Sequence, residues 1–192
     1  MSNVEKPLPP WADKIPKGAF ISYNTTYKVG EYFSLFHKDH FGTMDYYFYD
    51  PTEHGFSKNK NYPLFIFLHG ATNAMEGDVC INYAGAEFYA TEEYQKDFGG
   101  AYILVPLANE YYDEDHNLYG VWDESYTEPL FKLINNFIQT KTNGVSKKVV
   151  FGNSAGATMS FAMVNAYTDF FDALIPNGSS DIPSDEILDE YD

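Results

Sequence analysis

The run Gly152-Asn153-Ser154-Ala155-Gly156 sets one serine between two glycines, a pattern suited to attack on a carbonyl carbon. It matches G-x-S-x-G, in which the serine rides a sharp passage from strand to helix. The flanks fit that passage: the apolar run Lys148-Val149-Val150-Phe151 precedes it, and a small-residue stretch from Ala155 to Tyr167 follows. Glycine allows the close backbone approach that a Cβ would obstruct, and the start of the following helix carries partial positive charge. The plain alternative is a βα turn that merely contains a serine; the flanking elements weigh against it.

Attack on a carbonyl creates an oxyanion, which needs preorganised donors, commonly two backbone N–H groups worth about 3 kcal/mol each. One candidate donor is Ala155, the residue after the serine. The other lies in the loop that follows His69-Gly70, at Ala71 or Thr72. His69 itself reads as a brace for that turn rather than as a catalytic group. The stretch from Asn109 to His116 mixes carboxylates with a histidine, but its spacing fits no EF-hand or H-E-x-x-H pattern, so no metal and no cofactor is expected. It reads as an exposed loop near a pocket mouth. Tyr111, Tyr112, Tyr119 and Trp122 offer flat rings that could stack on an aromatic acyl group or a sugar, with ordinary packing as the competing reading.

These residues need a frame. Pro63 to Leu68 is a continuous apolar run, as in a strand buried on both faces, and Ala101 to Pro106, Lys148 to Phe151 and Asp172 to Pro176 repeat its character. Gly18 to Val29 and Thr43 to Tyr49 predict an N-terminal antiparallel hairpin. Leu130, Leu133, Ile134, Phe137 and Ile138 form one helical stripe, for which Ser125 and Glu128 predict a capping box and Gly144 a C-terminal stop. Glu87 to Phe98 and Ala155 to Tyr167 are two further helices, the second apolar on most sides. Alternation of this kind predicts an α/β architecture: a mostly parallel, doubly wound sheet with helices on both faces.

Composition bounds the partners. A formal charge of −16 over 192 residues opposes nucleic acid and anionic membrane surfaces. A single cysteine, Cys80, excludes an internal disulfide, and no apolar run approaches the roughly 20 residues that cross a bilayer. Residues 1–17 are polar and proline-rich without a signal-peptide core, so the expected location is cytoplasmic, or secreted with a signal peptide already removed. One domain spanning 1–192 is expected, with 1–17 as an extended N-terminal segment.

From about Tyr62 to Ser180 the chain resembles the α/β-hydrolase serine esterases, including the feruloyl esterase, polyhydroxybutyrate depolymerase-like and predicted peptidase groups. The resemblance rests on Leu68-His69-Gly70-Ala71, Leu104-Val105-Pro106, Trp122 before a long helix, the Gly152 to Gly156 turn, and Ile175-Pro176-Asn177-Gly178. It implies a carboxylic ester hydrolase with Ser154 as nucleophile, Ala71 (or Thr72) and Ala155 as oxyanion donors, and feruloyl- or acetyl-type esters of plant polysaccharide as substrates.

One departure matters. In this fold the acid and the histidine follow the serine along the chain. Here all five histidines (His37, His40, His54, His69 and His116) precede Ser154, and Asp181, Asp185 and Asp189 read as a solvated loop and helix start. The triad acid and base are therefore expected outside this chain. The C-terminal strands of the domain would be absent here, lying either in a second polypeptide that completes the fold or in a longer chain of which this sequence is a part. The alternative is a non-catalytic binding or assembly subunit that keeps the fold and a pocket.

Overall fold

The computed structural model describes residues 30, 32–83 and 85–179. Among these residues, six strands form one sheet in the order β1-β2-β4-β3-β7-β8: β1 (His37–Phe41), β2 (Met44–Tyr49), β3 (Tyr62–Leu68), β4 (Tyr102–Pro106), β7 (Val145–Asn153) and β8 (Ala173–Asn177). The four strands β4, β3, β7 and β8 run parallel, while β1 and β2 add an antiparallel hairpin at the β4 side. A two-stranded ribbon of β5 (Tyr111–Tyr112) and β6 (Leu118–Tyr119) stands apart. The apolar runs forecast the parallel strands because those strands are covered on both faces: every residue of β4 is buried, and so is all of β3 except Pro63.

The forecast strand at Thr43 to Tyr49 is found, in an antiparallel hairpin. Its strands are His37–Phe41 and Met44–Tyr49, and the expected strand at Gly18 to Val29 lies outside the described residues, as do residues 1–17. Strand β1 reads His-Lys-Asp-His-Phe and stays largely in solvent, so it carries no apolar alternation to betray it. Its cohesion comes from pairing with β2, whose residues are buried at every position but Asp45.

Among the described residues, five α-helical segments cover the sheet: α1 (Cys80–Tyr83), α2 (Ala86–Tyr89), α3 (Glu92–Phe98), α4 (Thr127–Lys141) and α5 (Ala155–Ala166). Helices α4 and α5 bury Leu130, Leu133, Ile134, Phe137, Met159, Met163 and Val164 against one face of the sheet. Cys80, Ile81, Ala86 and Ala90 pack on the other face, against Phe65, Phe67, Ile103 and Val105. The helix forecast at Glu87 to Phe98 is broken at Ala90-Thr91, where Thr91 turns extended and opens α3. The capping box at Ser125 and Glu128 does not form. Asp123 accepts the Ser125 N–H instead, capping the short 3-10 turn that leads into α4, and Glu128 pairs with Lys132 at 2.6 Å. Nor does Gly144 end the helix: extended Thr142 does, and its hydroxyl accepts the Gly144 N–H.

Among the described residues no helix is long and apolar enough to cross a membrane. Cys80 is free and fully buried, and that burial pushes its thiol up to about 12, so it is no rival nucleophile.

Candidate active site

The chain runs from β3 outward to β4, then crosses back so that β7 pairs with the opposite side of β3 and β8 follows outward. Strand order therefore reverses between β3 and β7, and a crevice opens beyond their carboxyl ends, where ligands bind in sheets of this kind. The residues singled out by sequence flank that crevice: His69 to Thr72 follow β3, and Ser154 follows β7.

Ser154 sits at φ 53°, ψ −118°, a strained conformation for a residue with a side chain. The strain is sustained by what surrounds it. The Ser154 N–H donates to Asn177 O at 2.9 Å, tying the turn to the end of β8, and the Ser154 carbonyl accepts from Ala157 and Thr158 as α5 begins. Both neighbouring glycines are obligatory for steric reasons. A Cβ on Gly152 would lie 2.2 Å from Gly156 O, and a Cβ on Gly156 would lie 2.0 Å from Leu68 O. The second close approach locks the start of α5 to the end of β3. Ser154 is left exposed, and no described side chain hydrogen-bonds its hydroxyl.

The loop after β3 is fixed through its peptide units. Fully buried His69 uses both ring nitrogens: Nδ1–H donates to Gly70 O at 2.7 Å, and Nε2 accepts the Ala108 N–H at 3.1 Å. A carbonyl can only accept and an amide can only donate, so the tautomer follows. Burial lowers the imidazole to about 4 and keeps it neutral. Gly70 O also accepts from the Asn73 N–H at 3.3 Å. In a planar trans peptide the N–H points opposite to the carbonyl, so two bonds to Gly70 O also aim the Ala71 N–H, away from the loop. Neither the Ala71 nor the Ala155 N–H has an acceptor among the described residues. The Thr72 N–H differs. It donates to Glu110 Oε1 at 3.0 Å, while the Ala74 N–H donates to Glu110 Oε2 at 3.0 Å.

Trp122 is 5% exposed, its indole N–H donates to His69 O at 3.1 Å, and its ring packs on His69 and Tyr126. The structure thus has it bracing the His69 turn from a largely buried position. Tyr111 and Tyr112 are exposed on the ribbon, and Tyr111 stacks on Tyr119 with ring centroids 5.6 Å apart. The carboxylates and His116 of the same stretch gather no group of three metal-ligating side chains among the described residues.

None of the five histidines meets Ser154. His37 bonds Glu53, His40 lies beside Asp39, His54 stacks on Tyr49, His69 is spent on the loop, and exposed His116 closes a turn of the ribbon. The acidic residues Asp181, Asp185 and Asp189 lie outside the described residues. Beside the serine turn, a cavity of about 420 Å³ is walled by Phe67, Tyr89, Phe151, Asn153, Ile175 and Asn177.

Glu110 was not singled out as a site residue from sequence. The only signal was its place a few residues beyond a parallel strand, in a mixed acidic and aromatic stretch.

No protein-family model matches this chain, and no curated protein matches it. Solved structures do. A thermostable esterase superposes with a TM-score of 0.64 at 19% identity, over 83% of this chain and 44% of its own. A structure named FAE gives 0.55 at 15% identity, over 78% and 56%. The acylaminoacyl peptidase of Pyrococcus horikoshii gives 0.51 at 18% identity, over 76% and 23%. The chain thus spans less than half the length of the thermostable esterase. Identities this low speak to architecture alone, and the strand order, the crossover and the strained serine turn agree with them: the chain has the α/β-hydrolase fold.

Proposed function

We propose that the protein hydrolyses carboxylic esters through a Ser154 acyl-enzyme. The observation that carries this reading is the strained, glycine-locked turn that holds Ser154 exposed at the head of α5, beside a β3 loop whose Ala71 N–H is aimed and unspent. Ser154 Oγ bonds to the ester carbon while a base takes its proton; the C–O bond to the alcohol breaks, and the alcohol leaves with that proton. Water then attacks the acyl-enzyme, releasing the acid and restoring the serine. Ala71 and Ala155 donate to the oxyanion, and Thr72 is set aside because its N–H is held by Glu110.

The base is an imidazole supplied by polypeptide outside this sequence, since each histidine here is placed elsewhere. The same reading puts that second polypeptide at β8. This strand pairs only with β7 among the described residues, Ile175 is 46% exposed, and the cavity beside it is walled by both aromatic and amide side chains. Feruloyl- or acetyl-type esters of plant polysaccharide are the proposed substrates, with Tyr111 and Tyr112 as the surface on which an aryl or sugar ring stacks. Of the solved structures of like fold, one is an esterase by name and one a peptidase, which is consistent with ester chemistry.

The second reading, a non-catalytic binding or assembly subunit, is favoured by one observation: Ser154 Oγ has no proton acceptor among the described residues. Stopped-flow hydrolysis of p-nitrophenyl acetate by the full assembly separates the two. A burst of nitrophenol equal to the enzyme concentration, absent in Ser154→Ala, is the expected result. Equal turnover by wild type and Ser154→Ala, or none by either, contradicts the esterase reading.

A further inference from the structure

We propose that Glu110 is a positioning residue for the oxyanion donor, clamping the β3 loop so that the Ala71 N–H keeps its direction. The inference rests on the serine esterase reading above and extends it to a residue that never meets the substrate.

The clamp is visible in three observations. First, one carboxylate accepts two backbone N–H groups of the same loop, Thr72 and Ala74, one on each oxygen, both at 3.0 Å. The two oxygens of a carboxylate fix direction as well as distance, so this pair resists twisting of the loop. Second, Thr72 has φ 72°, a left-handed value uncommon for a residue branched at Cβ, so the loop shape must be held from outside. Glu110 reaches it from 38 residues away in sequence. Third, the anchor is itself anchored. Asn109 N–H donates to Tyr126 Oη at 2.9 Å, Tyr126 Oη–H donates to Gly120 O at 2.7 Å, and Ala108 N–H is bound to His69. Gly120 approaches so closely that a Cβ would fall 1.9 Å from Asn109 O.

Together these tie Gly70 to Ala74 at two points. His69 and the Asn73 N–H hold the Gly70 carbonyl on one side of Ala71, and Glu110 holds the Thr72 and Ala74 amides on the other. Ala71 is thus held from both flanks. Burial raises the Glu110 carboxyl above its usual range, so an ionised group at this place is no gain for stability in itself. A residue that only filled space would serve better as a neutral one. The role assigned to Glu110 explains the carboxylate, because two N–H groups need two accepting oxygens.

The test compares wild type, Glu110→Ala and Glu110→Gln in the full assembly. Glutamine keeps the shape and one accepting oxygen, and it serves if the alanine variant folds poorly. Steady-state hydrolysis of p-nitrophenyl acetate gives kcat and KM, and hydrogen exchange reads the amides of Thr72 and Ala74. Expected for Glu110→Ala is a fall in kcat of about 10- to 100-fold with KM changed less than about threefold, as for loss of an interaction that matters in the transition state. Glu110→Gln should lie between the two, and both amides should exchange faster in each variant. Unchanged kcat in variants whose Thr72 and Ala74 amides have lost protection overturns the proposal, as does a loss confined to KM. A wild type without Ser154-dependent turnover overturns the esterase reading, and the role of Glu110 falls with it. Turnover in wild type that is indifferent to Glu110 overturns the positioning role alone.

Discussion

The two walls of the crevice are built differently. On the β4 side, the loops after β3 and β4 are joined by His69 to Ala108, by Trp122 to His69 and by Glu110 to Thr72 and Ala74, all of them buried or half-buried bonds. On the β8 side, the serine turn hangs on Asn177 O, Ile175 and Asn177 are exposed, and the cavity lies open. Oxyanion donors gain from preorganisation because they must not reorient as charge develops, and on the proposed reading the braced wall meets that need. On the same reading, the base arrives at the open wall. In the proposed account, one half of the chemistry is prebuilt here and the other half is delivered.

The sharpest way to break this contrast is at the joint between the walls. Gly156→Ala places a Cβ 2.0 Å from Leu68 O and 2.6 Å from His69 O, so α5 must part from β3. Backbone atoms on both sides cannot swing away, and we expect a loss of about 3 kcal/mol or more in urea unfolding. A loss below about 1 kcal/mol would mean the turn tolerates relaxation that the structure does not suggest.

Acid reaches the braced wall through His69. His69 titrates near 6.5 when unfolded and about 4 when folded, so between those values the unfolded chain holds more protons. Stability is therefore full above pH 6.5 and declines as pH falls toward 4, by about 3 kcal/mol in total. Urea midpoints measured across that window should show the slope in wild type, and it should flatten in His69→Gln. An identical slope in both proteins would assign the acid sensitivity to other groups.

The smallest effect belongs to the ribbon. Tyr111→Ser should shift the unfolding free energy by less than about 0.5 kcal/mol, because the ring is more than half exposed, while raising KM for aryl or sugar-linked esters. A stability loss with unchanged KM would make Tyr111 a packing residue.

The central strands and α4 were legible because their physics is local. Pro63 to Leu68 is apolar without interruption since both faces are covered, and Leu130, Leu133, Ile134 and Phe137 repeat at helical spacing since one face is. The serine turn was legible for a different reason: two glycines stand where Gly156 O and Leu68 O leave no room for a Cβ. What escaped depends on partners distant in sequence. His37 to Phe41 is a strand only because β2 lies beside it, and Asp123 displaces the forecast cap because it reaches the Ser125 N–H first. Glu110 looked like one carboxylate in an acidic loop, and only the fold brings it to Thr72. Trp122 shows the reverse case, a ring open in sequence to ligand stacking or to packing, whose indole N–H braces His69 in the structure.

The most direct measurement is intact mass of the purified assembly after exposure to a fluorophosphonate probe, which labels only an activated serine. The account predicts one adduct on the 21.9 kDa chain, mapped to Ser154 and absent in Ser154→Ala, with a second polypeptide co-purifying. An unlabelled chain in that assembly, or labelling that survives Ser154→Ala, would contradict it.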